Sequence, residues 1–211
     1  RMGMEIGSHT VTHRVLTRLA PDAARVELAR SKEVLEQWLG EPVEAFSYPR
    51  GVFNRRVRAQ VARAGYRLAR TTRSFLDREM ADPFRMPVSF QFFPHPAAIH
   101  VRHALKEGNL MSLAHWIRDP RGATALGALV ETFSARVLER GGTLHLWGHS
   151  WEMEEFGLWE ALASTCRALG GARGLRPATN SEALALATAA AASAGSPAGA
   201  RAPAAAPGPA R

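Results

Sequence analysis

The sequence has 211 residues, 46% of them hydrophobic, and this length and composition suit one domain with a sizeable core. No apolar run approaches the roughly 20 residues that a membrane-spanning helix needs. The first residues also lack the apolar region and cleavage site of a signal peptide, so the compartment stays open between cytoplasm and cell envelope. The single cysteine, Cys166, excludes an internal disulfide and a thiolate-rich metal site. We predict that its thiol is buried, because it follows the apolar run 158–162.

The formal net charge is +8, and nearly all of the positive charge comes from arginine. The densest stretch runs from Arg55 to Arg73 and contains seven arginines. Its first half has the spacing of a helix that turns Val57 and Val61 inward and leaves the arginines in solvent. The stretch matches no nucleic-acid-binding motif. We therefore interpret it as a solvated basic surface without a nucleic-acid partner, and an anionic polymer is the alternative partner.

Helical and strand-like segments alternate along the first 187 residues. The longest helix begins at Pro21, which suits a first helical turn, and Gly40 is its stop signal. The middle of the chain, 74–120, is predicted to be irregular, because five of the 13 prolines fall there. The predicted elements are, in chain order, a strand at 4–6, a helix at 21–39, a strand at 43–48, a helix at 55–64, a strand at 66–72, a helix at 124–140, a strand at 143–147 and a helix at 157–169.

This alternation indicates an α/β fold with a parallel sheet, either open or closed into a barrel. In such folds the chemistry collects where strands end and loops begin. We predict that the domain covers residues 1–187. Residues 188–211 are predicted to form a disordered tail, because Ala, Gly, Pro and Ser offer nothing large to bury.

Two histidine pairs have the spacing of a possible metal site. His9 and His13 follow the first predicted strand, and a helical turn beginning near Ser8 would place both imidazoles on one face, within reach of one ion. Two ordinary surface histidines are the alternative. His145 and His149 have the same spacing, but four residues of strand span about 13 Å, so these two are not expected to share an ion.

Three segments of the sequence resemble the polysaccharide deacetylase family, also called carbohydrate esterase family 4. Ser8-His9-Thr10-Val11-Thr12-His13 resembles the motif whose two histidines bind a divalent metal, usually zinc. Phe46-Ser47-Tyr48-Pro49-Arg50-Gly51 resembles the loop that lines the site. Gly148-His149-Ser150-Trp151-Glu152 resembles the last motif, which places a histidine at a strand end. The three segments occur in the family's order, and the resemblance extends over about residues 3–183.

The resemblance implies a distorted (β/α) barrel, incomplete at its N-terminus, that hydrolyses N-acetyl groups from a polysaccharide or glycoconjugate. It implies that His9 and His13 bind the divalent metal, most simply zinc, and that His149 is the general acid for the leaving amine. The backbone N–H of Arg50 is the implied oxyanion donor. The implied substrate-binding residues are Tyr48 and Trp151, and the implied partner is an N-acetylated polysaccharide or oligosaccharide.

Alternatives remain for several of these residues. His149 could instead be a strand-end histidine bonded to the backbone. His145 is the substitute general acid if the alignment slips by one turn, although an inward core position suits it better. Trp147 and Trp151 could stack on a sugar ring or pack in the core.

The sequence departs from the family's pattern in its acidic residues. The family has an Asp-Asp pair upstream of the histidines, which supplies a metal ligand and the general base, and only Glu5 precedes His9 here. Ser47 also stands where many members have an arginine. We therefore expect an N-terminally truncated domain that is inactive in this form. The alternatives are a non-catalytic glycan-binding domain and a hydrolase of another C–N amide bond.

Overall fold

The structure is a computed structural model, and it describes residues 3–77, 82–118 and 126–194. Within these ranges, helices alternate with short parallel strands, so the predicted α/β class is confirmed. The elements are, in chain order, α1 (Pro21–Leu39), β1 (Ala45–Ser47), α2 (Arg55–Arg63), β2 (Leu68–Arg70), β3 (Phe90–Gln91), α3 (Ala97–Glu107), α4 (Leu110–Ile117), α5 (Leu126–Arg140), β4 (Leu146–Trp147), α6 (Ser150–Glu155), α7 (Trp159–Gly170) and α8 (Asn180–Ala194).

The strands pair in two parallel ladders. β1 lies beside β2 with Phe46 opposite Ala69, and β3 lies beside β4 with Phe90 opposite Leu146. Single bridges extend the first ladder on both sides, from Ser8 to β1 and from β2 to Met86. Among the residues that the structure describes, the strands do not close into a barrel.

The first ladder is covered on both faces, as the two-residue period of a strand requires. Phe46 and Ala69 point to the core formed with α1 and α2. Their neighbours Ala45 and Leu68 point to the opposite face, where they contact Leu184 of α8. The loops that leave the carboxyl ends of these strands therefore stand on a ladder packed from both sides.

A second core surrounds β3 and β4. Its largest members are fully buried aromatic rings from the strands and from α4 and α5, and they contact one another edge-on or at a tilt. These rings are Phe75, Phe90, Trp116 and Phe133. This core holds the segment 148–152 in place, because that segment directly follows β4.

The prediction of an irregular segment at 74–120 is wrong for most of its second half, where α3 and α4 form. Pro96 stands immediately before the first residue of α3, so it removes no hydrogen bond from the helix interior. Gly108 ends α3 in a left-handed conformation, and the Asn109 side chain then caps α4. The prolines thus mark the helix boundary rather than an absence of helices.

Three smaller predictions also differ from the structure. The helical period of residues 21–39 predicts that Trp38 faces inward with Leu28 and Leu35. Trp38 is instead 80% exposed, because the last turn of α1 passes the edge of the core and Leu35 and Leu39 make the contacts there. Cys166 is exposed, because α7 lies at the margin of the second core and has no fully buried residue. The predicted domain boundary after residue 187 falls inside α8, whose alanines favour a helix. The rest of the predicted tail, 195–211, lies outside the described residues.

Much of the basic stretch is bound within the molecule. Arg58 pairs with Asp82 at 3.3 Å, and Arg67 pairs with Glu44 at 3.2 Å. Arg73 pairs with Glu107, and Arg70 is buried. The stretch is therefore less of a free basic surface than its composition suggests. None of the described helices is both long enough and apolar enough to cross a membrane.

Candidate active site

His9 and His13 lie in a loop that begins where Ser8 bridges to β1. The predicted helical turn is wrong, because Thr10 and His13 adopt left-handed backbone angles, with φ of 68° and 56°. The loop nevertheless brings the two imidazoles together, with ring centroids 4.8 Å apart and an interplanar angle of 60°. A β-branched residue such as Thr10 rarely adopts positive φ, so the surrounding structure must hold this conformation.

The carboxylate of Glu27, on α1, holds this loop. One of its oxygens accepts the backbone N–H groups of Val11 and Thr12, both at 2.9 Å, and the other accepts the Thr12 hydroxyl at 2.6 Å. Partial burial acts to raise the pKa of the Glu27 carboxyl, but these hydrogen bonds and the charge of Arg14 lower it overall. The sequence analysis missed Glu27, because nothing in the pattern of α1 distinguishes it from other exposed glutamates.

The ring of His9 is oriented by β1. Its Nδ1 lies 2.7 Å from the carbonyl oxygen of Ser47, which suits an Nδ1–H donor and leaves Nε2 as the free basic nitrogen. The surrounding protein lowers the pKa of His9 by desolvation, the Ser47 hydrogen bond acts against this, and the charges of His13 and His149 lower it further. The neutral imidazole with its second nitrogen tied to a carbonyl is the usual state of a metal-binding histidine.

The loop after β1 contributes backbone geometry. Arg50 is exposed and adopts a left-handed conformation, with φ of 55°. Gly51 follows with φ of 67°, and a Cβ atom there would lie 1.9 Å from Oγ1 of Thr72. Only glycine fits this position, since both its φ and its contact exclude a side chain.

Tyr48 does not occupy the position that the resemblance implies. It is buried, its ring stacks on Phe53, and its hydroxyl donates to the carbonyl oxygen of Phe84 at 3.1 Å. Burial raises the pKa of its phenol well above the ordinary value. The prediction that Tyr48 binds substrate is therefore corrected: the side chain supports the loop from the core, because its bulk and hydroxyl are both used there.

His149 stands at the start of α6, at the end of β4. Its Nδ1 lies 2.9 Å from Oε2 of Glu152, and the same carboxylate accepts the side-chain amide of Gln91 at 2.8 and 3.0 Å. His149 is about half exposed, and Trp151, which is 58% exposed, stacks on it with ring centroids 5.5 Å apart. The structure thus places His149 and Trp151 at the surface, oriented by a buried carboxylate, rather than in the core.

Glu152 is a second carboxylate that the sequence analysis gave no role. Burial acts to raise its pKa, but the hydrogen bonds from His149 and Gln91 lower it overall, so it stays ionised. The signal was present in the sequence, because residues three apart at a helix start lie side by side.

His145 differs from His149 in every respect that matters for proton transfer. Its side chain is largely buried, and burial with the nearby charge of Arg70 lowers its pKa to about 3. The imidazole is therefore neutral near pH 7 and cannot donate a proton from its cationic form. Of the two histidines that the alignment allowed, His149 is the one with the exposure and the partner of a general acid.

The histidines of the first loop suit a divalent cation, but they do not complete its site. Two imidazoles lie together, and the orientation of His9 leaves one ring nitrogen available. Among the described residues, no group of three or more His, Cys, Asp or Glu side chains is placed to hold a metal ion. The residues therefore supply two of the three protein ligands of a typical His-His-carboxylate site.

Two cavities adjoin these residues. One, of about 290 Å³, is lined by His13, Arg14, Val15, Arg18, Leu19 and Arg50. The other, of about 240 Å³, lies beside His149 and has mainly apolar walls, among them Trp147, Met153 and Trp159. His13 and His149 thus each border a cavity.

Comparison with known proteins gives a family match for the first third of the chain. Residues 1–69 match the family model for polysaccharide deacetylase, and they include His9, His13 and the 46–51 loop. Over these residues the chain is similar to the polysaccharide deacetylase family. The match ends before His149, so the role of that residue still depends on the motif resemblance and on its surroundings.

Two known proteins illustrate how far the similarity extends. YxkH of Bacillus subtilis (strain 168), whose name assigns it to the polysaccharide deacetylases, is 31% identical over 70 residues, which is 33% of this chain and 25% of YxkH. The Streptococcus pyogenes deacetylase PplD, solved in complex with acetate, is 28% identical over 38% of this chain and 36% of its own, with a TM-score of 0.37. The similar region thus spans about a quarter of the length of YxkH.

Proposed function

We propose that this chain takes part in metal-dependent hydrolysis of N-acetyl groups on a polysaccharide or glycoconjugate. The observation that carries the proposal is the pair His9 and His13, which lies in the family-matched segment with its rings 4.8 Å apart. The charge of His149, from a segment 140 residues further along the chain, acts on His9. Two segments distant in sequence are therefore close enough for their charges to interact.

In the proposed reaction, His9 and His13 hold a divalent cation, most simply zinc. A bound divalent metal would supply a water of lowered pKa and would polarise the acetamide carbonyl. The backbone N–H of Arg50 is the proposed donor to the oxyanion, and the strained loop conformation keeps it fixed.

His149 is the proposed donor of the proton that the leaving amine requires. Glu152 fixes the ring through Nδ1, so that Nε2 is the nitrogen left to face the substrate. Trp151 extends the same surface with an exposed ring on which a sugar can stack. The third metal ligand and the general base are carboxylates in this chemistry, and we place neither among the described residues.

We further infer that the two ladders are portions of one distorted (β/α) barrel. The segments at Ser8, β1, β2 and Met86 follow one another in chain order through parallel bridges and pairs. Ser89, close to Met86, donates its N–H to the carbonyl of His145, which leads into β4. A single run of parallel neighbours in chain order is the arrangement of a barrel wall.

Zinc binding and acetate release together test the proposal. Titration of the chain with zinc against a chromophoric chelator should give weak one-to-one binding that His13→Ala abolishes and His103→Ala, on α3, preserves. Acetate release from N-acetylchitotetraose should fall in both His13→Ala and His149→Ala. Acetate release that persists in both His13→Ala and His149→Ala would contradict the proposal.

A non-catalytic glycan-binding role is the second candidate, because no third metal ligand is found among the described residues. It predicts that N-acetylchitotetraose binds to the protein without acetate release. Small linear and cyclic amides in the same assay test the remaining possibility, hydrolysis of another C–N amide bond.

A further inference from the structure

Three of the residues that line the cavity beside His13 are arginines, and we name it the arginine cavity. Arg14 and Arg18 come from the first loop, and Arg50 comes from the loop after β1. All three are exposed. None of them forms a hydrogen bond or an ion pair through its side chain with another described residue, whereas most of the arginines at 55–73 do.

The carboxylate of Glu27, whose charge interacts with that of Arg14, is already occupied. Both of its oxygens accept hydrogen bonds from Val11 and Thr12. Three guanidinium groups around a space of about 290 Å³ repel one another, and an anion placed among them relieves that repulsion. Guanidinium groups also match the geometry of carboxylate and other oxyanions, which they bind through paired N–H donors.

Hydrogen bonds from Arg56 hold the backbone of the segment that carries Arg14 and Arg18. One guanidinium nitrogen of Arg56 donates to the carbonyl oxygens of Leu16, Thr17 and Leu19 at 3.2, 3.4 and 3.1 Å. Leu16 and Leu19 are buried in the first core. Because this backbone is already ordered, binding of a ligand to its charged side chains costs no backbone entropy. Such a preorganised backbone is a feature of binding sites rather than of mobile surface loops.

We propose that the arginine cavity binds an anionic group on the sugar next to the acetylated residue, so that the substrate is an acidic glycan. This inference rests on the proposed function, because His13 and Arg50 line both the cavity and the proposed reaction site. A carboxylate of a uronic acid and a sulfate or phosphate ester share the required chemistry. The volume is at the lower end of ligand pockets, which suits one sugar-sized group.

Binding of three tetrasaccharides to the full chain tests the inference. The probes are N-acetylchitotetraose, which is neutral, a tetrasaccharide of alternating N-acetylglucosamine and glucuronate, and a sulfated chitotetraose. Calorimetry at low salt should show that an acidic probe binds about tenfold or more tightly than the neutral one, as one or two charge-assisted hydrogen bonds would provide. The better of the two acidic probes identifies the anion.

Matched variants separate a specific site from general attraction to a basic protein. Arg14→Gln/Arg18→Gln should reduce affinity for the acidic probe about tenfold and leave affinity for the neutral probe within twofold. Arg63→Gln, which removes an exposed charge at the far end of α2, should change neither. Because Arg14 and Arg18 make no side-chain contacts of this kind, circular dichroism should show unchanged folding.

Three results would overturn the inference. If the wild-type chain binds acidic and neutral probes with equal affinity, no anion site is present. The same conclusion follows if none of the probes binds. An equal loss in Arg63→Gln and in the double variant would indicate non-specific electrostatics. None of these results bears on acetate release from a neutral oligosaccharide, so the proposed deacetylation would stand or fall separately.

Discussion

Replacing His145 by glutamine should make the free energy of unfolding decrease less as the pH falls, because this imidazole is held neutral in the folded chain. Burial and the charge of Arg70 lower the pKa of His145 to about 3, against 6.5 when exposed. Between these values the unfolded chain binds a proton that the folded chain does not bind. The free energy of unfolding must therefore fall as the pH falls through this window.

The size of the effect follows from the two pKa values. At pH 5 the unfolded histidine is almost fully protonated and the folded one almost fully neutral. The linkage relation then assigns to His145 a loss of about 2 kcal/mol between pH 8 and pH 5. Any folded pKa below about 4 predicts nearly the same loss over this interval, so the result depends on burial and not on the precise value.

Urea unfolding at pH 8, 6.5 and 5, followed by tryptophan fluorescence, measures the effect. The decrease in unfolding free energy from pH 8 to pH 5 should be about 2 kcal/mol smaller in His145→Gln than in the wild type. Leu146→Met perturbs the packing of the same strand without titrating, so it should keep the wild-type slope. An unchanged slope in His145→Gln, or an NMR titration of its ring near pH 6.5, would refute the reasoning and restore His145 as a proton donor.

Three further substitutions test the loops and the buried carboxylates. Gly51→Ala should lose about 3 kcal/mol of unfolding free energy in urea, from left-handed strain and the clash with Thr72. Glu27→Gln should weaken zinc binding about tenfold in a chelator competition, because the loop loses its charged acceptor. Glu152→Gln should lose about 1–3 kcal/mol at pH 7 in the same urea assay, and the difference from wild type should shrink as the pH falls below 4.5, because protonation then removes the native charge.

Each of these substitutions has a control or a contrary outcome. Gly40→Ala has the same backbone strain, with φ of 68°, but no atom within 4 Å, so it should lose only about 1 kcal/mol. Glu33→Gln, on the exposed face of α1, should leave zinc binding unchanged. If Glu152→Gln is as stable as the wild type at pH 7, the contacts of this carboxylate with His149 and Gln91 carry no net stabilisation.

The sequence predicted those features that depend on local patterns. The bounds of α1 follow from Pro21 and Gly40, and the order β1, α2, β2 after it follows from hydrophobic period and turn residues. The strand predicted at 4–6 is not formed, and Ser8 makes only a single bridge to β1. The expectation that histidines would collect at strand ends is met, since Ser8 bridges to β1 and His149 follows β4. These features are local because each is decided by residues within one or two turns.

Features that depend on distant contacts could not be predicted in this way. The loop around His9 is not helical, because Glu27 from α1 supplies the acceptors that a helix would have found in its own backbone. Tyr48 points inward because Phe84, 36 residues later, accepts its hydroxyl. The exposure of Cys166 and Trp38 depends on where each core ends, which no periodic pattern encodes.

The proposed reaction requires carboxylates beside the histidines, whereas the proposed choice of substrate requires only the arginines of the arginine cavity. Glu27 and Glu152 are the acidic side chains beside the histidines, and both use their oxygens to hold a loop or a ring. Among the described residues, neither forms a three-ligand metal group with the histidines. The positively charged lining of the cavity next to His13, by contrast, is complete within the described residues. Discrimination between acidic and neutral glycans should therefore be measurable on this chain by binding alone, whether or not the carboxylates of catalysis are present.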